Sequence, residues 1–217
     1  MNIKLARQNM LKCQLRDSYA IDDHIRGSID KIPREFFVPE MYVNLAYSDT
    51  RLPIGHDQIM MTPTEEARIL QALMIKPNDS ILEIGTGTGY FTALLANEGG
   101  HVYSVDIFPD FIASAEEKLN HLGIKNFSLL TGDAVQCWEK KAPYDVIVIT
   151  ASMPLLPTYF LQQLVEGGNL FLVLGNEPVM TATLLKRQSS QAWSQKNLFE
   201  TELPVLINAI KPEPFVF

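Results

Sequence analysis

This chain of 217 residues predicts a doubly wound, mostly parallel α/β sheet, and three patterns carry the prediction. From Pro63 onward, short apolar stretches alternate with helix-period stretches, the order expected when parallel strands are joined by helices that cover both faces of a sheet. One stretch, Val146-Ile147-Val148-Ile149, is apolar without a break, as suits a central strand buried on both faces. Residues 81–90 read Ile-Leu-Glu-Ile-Gly-Thr-Gly-Thr-Gly-Tyr, an apolar strand running into glycines at every second position. The crevice beyond the carboxyl end of a first strand is where open α/β sheets bind ligands, and glycines let the backbone come close without a Cβ in the way.

Taken in order, residues 5–16 have helical periodicity, and residues 21–32 form a second candidate helix with Asp22 and Asp23 at its start. Pro33, Pro39 and Pro53 break residues 31–61 into loop and short pieces, suited to wrapping over a ligand rather than building a layer. Thr62-Pro63-Thr64-Glu65 is a complete helix start, with Thr62 as N-cap, Pro63 at the first helical position and Glu65 as capping-box partner. That helix reaches Met74, and a turn follows at Pro77-Asn78-Asp79. Then come a strand from Ser80, the glycine turn, a helix over 88–97, a strand over 101–105, a helix over 111–121 and a strand over 127–130. A strand over 145–150, a helix over 156–165 and a strand over 170–174 complete the alternation. Two extended segments, 181–188 and 197–207, joined by Ser189-Ser190-Gln191, predict an antiparallel C-terminal hairpin. The tail over 210–217 carries two prolines and closes on Phe-Val-Phe; burial of those side chains favours packing along its own domain over covering the cleft or a second subunit. The whole chain reads as a single domain, with residues 1–62 as a helical and loop extension on an α/β core of residues 63–217.

Composition narrows the function. With 47% hydrophobic residues the chain can bury a full core. A formal charge of -7 argues against nucleic acid as the partner, because phosphate binding needs a basic face. No run of eighteen or more apolar residues suggests a membrane span, and the polar, charged N-terminus does not read as a signal peptide. Cys13 and Cys137 are too few for a disulfide framework or a zinc site, and four histidines show no metal spacing, so no metal is expected. These features together predict a cytoplasmic protein.

The ligand class follows from what stands at successive strand ends. A nicotinamide dinucleotide turn wants G-x-G-x-x-G, which would need glycine where the chain has Tyr90. About 20 residues past Gly85 the second strand ends in Asp106, placed to accept hydrogen bonds from both ribose hydroxyls. The third runs into Gly132-Asp133, where Asp133 would face the exocyclic amine of an adenine. Each acid also has a plainer reading, as the cap of the helix that follows.

Glu83, Gly85, Gly87 and Gly89 match the E/D-x-G-x-G-x-G motif of class I S-adenosylmethionine-dependent methyltransferases, which the chain resembles. Upstream, Ile32-Pro33-Arg34-Glu35-Phe36-Phe37-Val38-Pro39-Glu40, Ala46-Tyr47-Ser48-Asp49 and Leu52-Pro53-Ile54-Gly55 narrow the resemblance to the protein-L-isoaspartate O-methyltransferase family. Leu122-Gly123 with Asn126, Ala142-Pro143-Tyr144-Asp145 and residues 163–168 extend it to about residue 175. The resemblance implies S-adenosyl-L-methionine as cofactor, held by Glu83, Gly85, Thr86, Gly87, Gly89, Asp106, Ile107, Gly132, Asp133 and Ala134. It implies an isoaspartyl-containing protein or peptide as acceptor, met by Ile54, His56, Gln58, Thr150, Ala151 and Ser152. It also implies a serine at the position of Met61, associated with the substrate carboxylate; methionine cannot donate there. Thr62 follows at once and is the other candidate donor, although its capping signature points to a structural role. His56 and Asp57 replace small residues usual in the family.

A carboxylate acceptor is already ionised at pH 7, with an ordinary pKa near about 4, and needs no general base. A phenol or hydroxyl acceptor would need one, and His56 and Asp57 are the candidates. Three readings follow: methylation of isoaspartyl carboxylates in aged proteins, methylation of a small or apolar acceptor suggested by Met60 and Met61, and cofactor binding with little transferase activity. Asp145, at the amino end of its strand, is expected to be structural, with Thr150, Ala151 and Ser152 at the opposite end on the substrate side. The sequence does not specify an oligomeric state.

Overall fold

The computed structural model describes residues 2–135 and 138–210, with only the backbone of Asp17 and Ser18. The N-terminal helix expected over 5–16 is α1 (Ile3–Asn9), continued by a wider π-type helix (Met10–Ser18), and the second helix is α2 (Asp23–Lys31). Next come 3₁₀ turns (Arg34–Phe36, Glu40–Leu45), then β1 (Leu52–Gly55), β2 (Gln58–Met60) and α3 (Pro63–Leu73). The alternating part comprises β3 (Ser80–Ile84), α4 (Tyr90–Glu98), β4 (His101–Asp106), α5 (Pro109–His121), β5 (Phe127–Thr131), a 3₁₀ turn (Glu139–Lys141), β6 (Tyr144–Met153), α6 (Thr158–Gln162), β7 (Leu164–Asn176), β8 (Val179–Arg187) and β9 (Trp193–Glu200). Seven strands form one sheet in the order β5-β4-β3-β6-β7-β8-β9. Pairing is parallel from β5 to β7 and antiparallel from β7 to β9, so the doubly wound sheet with an antiparallel end is present as predicted.

β3 lies between β4 and β6, and the winding reverses direction beside it, which opens a crevice at the carboxyl ends of these strands. The pleat sends alternate residues to two cores. Ile81, Val102, Val146 and Val148 meet α2, α3 and α4 through residues such as Ile29, Leu70 and Leu94. Leu82, Ile149 and Leu172 pack with Phe160 and Leu161 of α6 on the other face. The first core continues into Met10, Leu15 and Ile25, so the N-terminal helices share one apolar cluster with the sheet.

Three elements differ from the sequence reading, each for a local reason. Residues 31–61 contain a two-stranded hairpin, β1–β2, pairing Leu52 with Met60 and Gly55 with Gln58. Its turn residues His56 and Asp57 both have positive φ, +52° and +56°, as a type I′ turn requires, and the sequence lacks the Asn-Gly or Asp-Gly pair that announces one. The helix expected over 156–165 is only Thr158–Gln162, because β7 already starts at Leu164. The last strand ends at Glu200 rather than near 207: Pro204 has no N–H for a ladder, and the chain instead returns to the sheet end, where Val205 bridges Ser152. The tail predicted to pack against its own domain lies, from Lys211 on, outside the described residues.

Candidate functional site

A cleft of about 860 Å³, open mouth included, lies at the carboxyl ends of β3, β4, β5 and β6, with the β1–β2 hairpin across from them. Its strand-end wall begins at the glycine turn. Gly85 has φ +99°, and a Cβ there would come within 2.3 Å of Thr150 Oγ1. That hydroxyl donates to the carbonyls of Ile84 at 3.1 Å and Gly85 at 2.8 Å, so Thr150 of β6 locks the turn and only glycine fits beside it. Gly87, at φ +51°, faces Ile54, whose Cδ1 would lie 3.3 Å from an added Cβ. Thr86 lines the cleft and is buried, with its Oγ1 2.6 Å from Ser104 Oγ. Gly89 caps α4 outside the lining; a Cβ on it would meet Ala115 Cβ of α5 at 2.8 Å, so this glycine serves helix packing.

Asp106 ends β4 at the cleft with 7% of its surface exposed. Its Oδ2 accepts from the Gly87 amide at 2.9 Å and its Oδ1 from the Phe108 amide at 3.0 Å. Burial raises its pKa, and hydrogen bonds from the backbone amides beside it pull the other way. Ile107 beside it also lines the cleft. At the end of β5, Gly132, Asp133 and Ala134 line the neighbouring wall. Asp133 accepts from the Val135 amide at 2.9 Å and from Asn208 Nδ2 at 2.7 Å. The missing Cβ of Gly132 makes room for the Trp138 ring, 3.0 Å from where it would stand.

Glu83 is a correction. Expected among the ligand-holding residues, it is fully buried behind the turn and absent from the lining, because the pleat turns it toward α4. There it accepts hydrogen bonds from Ser104, its cross-strand neighbour, and from Thr92 of α4. Its other oxygen, Oε1, has no partner among the described residues. Burial pushes its pKa up to about 8, against the pull of the two hydroxyls. A chain of hydroxyls, Glu83 to Ser104 to Thr86, thus supports the turn from beneath.

The opposite wall is the hairpin and the segment after it. Ile54, Gln58, Met60 and Met61 line the cleft, with Met61 only 6% exposed. The Met61 carbonyl accepts from Arg34, a fully buried guanidinium that also pairs with Glu66 and donates to the Ala46 carbonyl at 2.8 Å. Thr62 is not in the lining; it closes a complete capping box, accepting from the Glu65 amide at 3.1 Å while Glu65 accepts from the Thr62 amide at 2.8 Å. His56 and Asp57, the candidate bases, sit on the turn that points outward and do not line the cleft. The His56 ring lies on Phe108 instead, 4.0 Å between centroids. Ala151 lines the cleft beside Thr150. Ser152, expected there too, is buried with its Oγ donating to the Leu203 carbonyl at 2.9 Å, where the register of β6 against β7 shifts between Val148 and Ser152. Asp145 sits at the far end of β6 and accepts from the Ser80 amide at 2.9 Å, tying the starts of β6 and β3 together.

Sequence reasoning missed Glu66, Phe108, Phe111, Leu206 and Ile207, all in the lining. Phe108 and Phe111 follow Asp106 closely enough to have been found by position. Glu66 shows only as one of two acids in a first helical turn, and Leu206 and Ile207 were hidden by a strand expected to run to 207 that in fact ends at Glu200. Among the described lining residues every charged side chain is acidic: Glu66, Asp106 and Asp133. Burial raises the Glu66 carboxyl and Arg34 opposes it.

A family model described as protein-L-isoaspartate(D-aspartate) O-methyltransferase matches residues 6–207. The chain is 34% identical over 207 residues to a protein-L-isoaspartate O-methyltransferase of Synechococcus sp. (strain JA-2-3B'a(2-13)), covering 93% of this chain and 85% of that protein. It is 39% identical over 168 residues to one from Gloeobacter violaceus, covering 77% and 82%. A Plasmodium falciparum structure described as a β-aspartate methyltransferase in complex with S-adenosyl-L-homocysteine superposes with a TM-score of 0.77 at 21% identity, over 95% of this chain and 98% of that one. The shared fold therefore spans nearly the whole chain.

Proposed function

The chain belongs to the protein-L-isoaspartate O-methyltransferase family, and from that premise we propose how its cleft works. The protein is an S-adenosylmethionine-dependent O-methyltransferase acting on isoaspartyl carboxylates. The observation that carries the assignment to this cleft is Asp106: a nearly buried carboxylate at the second strand end, fixed through both oxygens by backbone amides. A carboxylate so held is ready to accept from ribose hydroxyls without reorganising. The acidic lining suits a cofactor that carries a sulfonium and an ammonium. Gly85 to Gly87 would form its cradle, with Ile107 and Ala134 beside the base and Asp133 toward its amine.

When bound, the cofactor supplies a methyl on a sulfonium, open to in-line attack by an oxygen lone pair. The chain's own task is positioning, because an ionised carboxylate needs no base. That fits a lining without histidine or lysine among the described residues. The hairpin presents Gln58, and Thr88, which also lines the cleft, keeps its hydroxyl proton for donation, since it accepts from the Tyr90 amide at 3.4 Å. Met60, Met61, Ile54 and Phe111 exclude water around them. Repair of isoaspartyl damage in the cytoplasm is the role this reading proposes.

A second reading, methylation of a small apolar acceptor, is favoured by Met60, Met61, Leu206 and Ile207 in the lining. One assay separates them: release of S-adenosylhomocysteine measured over isoaspartyl peptides, free carboxylic acids and phenols. Turnover on isoaspartyl peptide, and not on its aspartyl counterpart, is expected. Turnover confined to small acids or phenols would replace the peptide by the small acceptor, and cofactor binding with no turnover would leave only the binding reading.

A further inference from the structure

The β1–β2 hairpin is a sheet of its own, two strands of four and three residues outside the main sheet. A hairpin that small is marginal in water unless something holds it. Its base is anchored by Leu52 and Met60, both buried. Ile59 packs against the same core, and two further attachments reach the cofactor wall. Midway along, Ile54 rests on the glycine turn at Gly87. At the tip, His56 stacks on Phe108 with centroids 4.0 Å and planes 9° apart, and meets Phe111 edge-on at 5.2 Å. Its Nε2 lies 2.9 Å from Asp110 Oδ2 at the start of α5, and that hydrogen bond holds the Asp110 carboxyl below the ordinary range.

Phe108 is the same residue whose amide fixes Asp106, and Phe108 and Phe111 line the cleft while His56 does not. The imidazole thus touches the outside of the wall whose inside would face the cofactor. We propose that His56 is a positioning residue that clasps the acceptor hairpin to the cofactor wall, so that seating the cofactor on Asp106 orders Ile54, Gln58 and Met60 for the acceptor. Cofactor and acceptor then bind with positive coupling, and the coupling runs equally in both directions. The inference rests on the reading of this cleft as the S-adenosylmethionine site.

Three variants of the full chain test it. His56→Asn removes the ring but keeps a residue that tolerates positive φ; His56→Phe keeps the stack without the Asp110 bond; Asp110→Asn weakens that bond alone. The first measurement is calorimetric affinity for S-adenosylhomocysteine, with and without isoaspartyl peptide. The second is hydrogen exchange of the amides over 52–60, with and without S-adenosylhomocysteine. In the wild type, the product should slow hairpin exchange, and peptide should tighten product binding by about fivefold or more, the lower range of site coupling. His56→Asn should bind product alone nearly as well yet lose both responses. His56→Phe should keep most of them, which a general loosening of the tip would not explain, and Asp110→Asn should fall between. Full hairpin protection and full coupling in His56→Asn would overturn the clasp while leaving the cofactor site intact. Failure of the wild type to bind S-adenosylhomocysteine would overturn the site reading, and the clasp with it.

Discussion

The strand-end wall of the cleft and the hairpin that faces it keep their shapes by different means. The wall is set by backbone: Gly85 has room for no side chain beside Thr150, and both oxygens of Asp106 are held by amides. The hairpin is set by side chains: Leu52 and Met60 buried at its base, Arg34 holding the Met61 carbonyl just beyond it, Ile54 midway and His56 at the tip. A backbone-built surface tolerates few substitutions at its turn, because Gly85 and Gly87 have positive φ and any side chain there would be strained. A side-chain-built surface can be altered residue by residue while the fold persists. One fold can therefore keep its cofactor and vary its acceptor, and Met61, where the family resemblance places a serine, lies in the variable half.

The largest expected effect falls on the hairpin half. Arg34→Met leaves Glu66 buried without its cation, and breaking such a pair costs about 3–5 kcal/mol. Denaturant unfolding should show that loss, and a second substitution, Glu66→Leu, should recover much of it; a loss under ~1 kcal/mol in the single variant would mean that Arg34 does not anchor this half.

A smaller effect is expected in the wall. Asp106→Ala should weaken binding of S-adenosylhomocysteine by about 1–3 kcal/mol, the cost of leaving polar partners unpaired. Unchanged affinity by calorimetry would remove Asp106 from the site and undo the contrast between the halves.

A third effect takes the form of a slope. Glu83 in the folded chain has a pKa raised to about 8, well above the ordinary value near about 4.3. The folded state therefore holds the extra proton between those values. Stability contributed by the neutral acid is complete below the ordinary value and declines as pH rises toward 8, by at most about 1.4 kcal/mol per pH unit. Glu83→Gln should flatten that decline between pH 5 and 8, and a wild type whose stability is level over this range would place Glu83 in its charged form.

Much of the wall was legible because glycine spacing and strand-end acids are constraints on backbone, and backbone constraints leave local marks. Gly85, Gly87, Asp106, Asp133 and Thr150 all line one cleft. Glu83 and Gly89 share the motif yet stand outside it, since the motif records the needs of the turn and of helix packing together with those of the ligand. The hairpin half was less legible. His56 read as a base because imidazole is reactive, whereas its position on an outward type I′ turn depends on φ values that no local residue pattern announced. Thr62 was read correctly as a cap, since all of its partners lie within three residues. Glu66 draws its significance from Arg34, 32 positions away, and such pairings leave no trace in a short window.

The segment after β9 brings Val205 to Ser152, Asn208 to Asp133, and Leu206 and Ile207 into the lining. A ribosome makes these residues long after the glycine turn and the acids are already outside the exit tunnel. A chain interrupted before Leu206 would carry the strand-end wall and still lack one side of the cleft. The enclosure is thus finished only after the sheet has been made, and a copy that stops short of Leu206 lacks one side of the cleft however much of its sheet has formed.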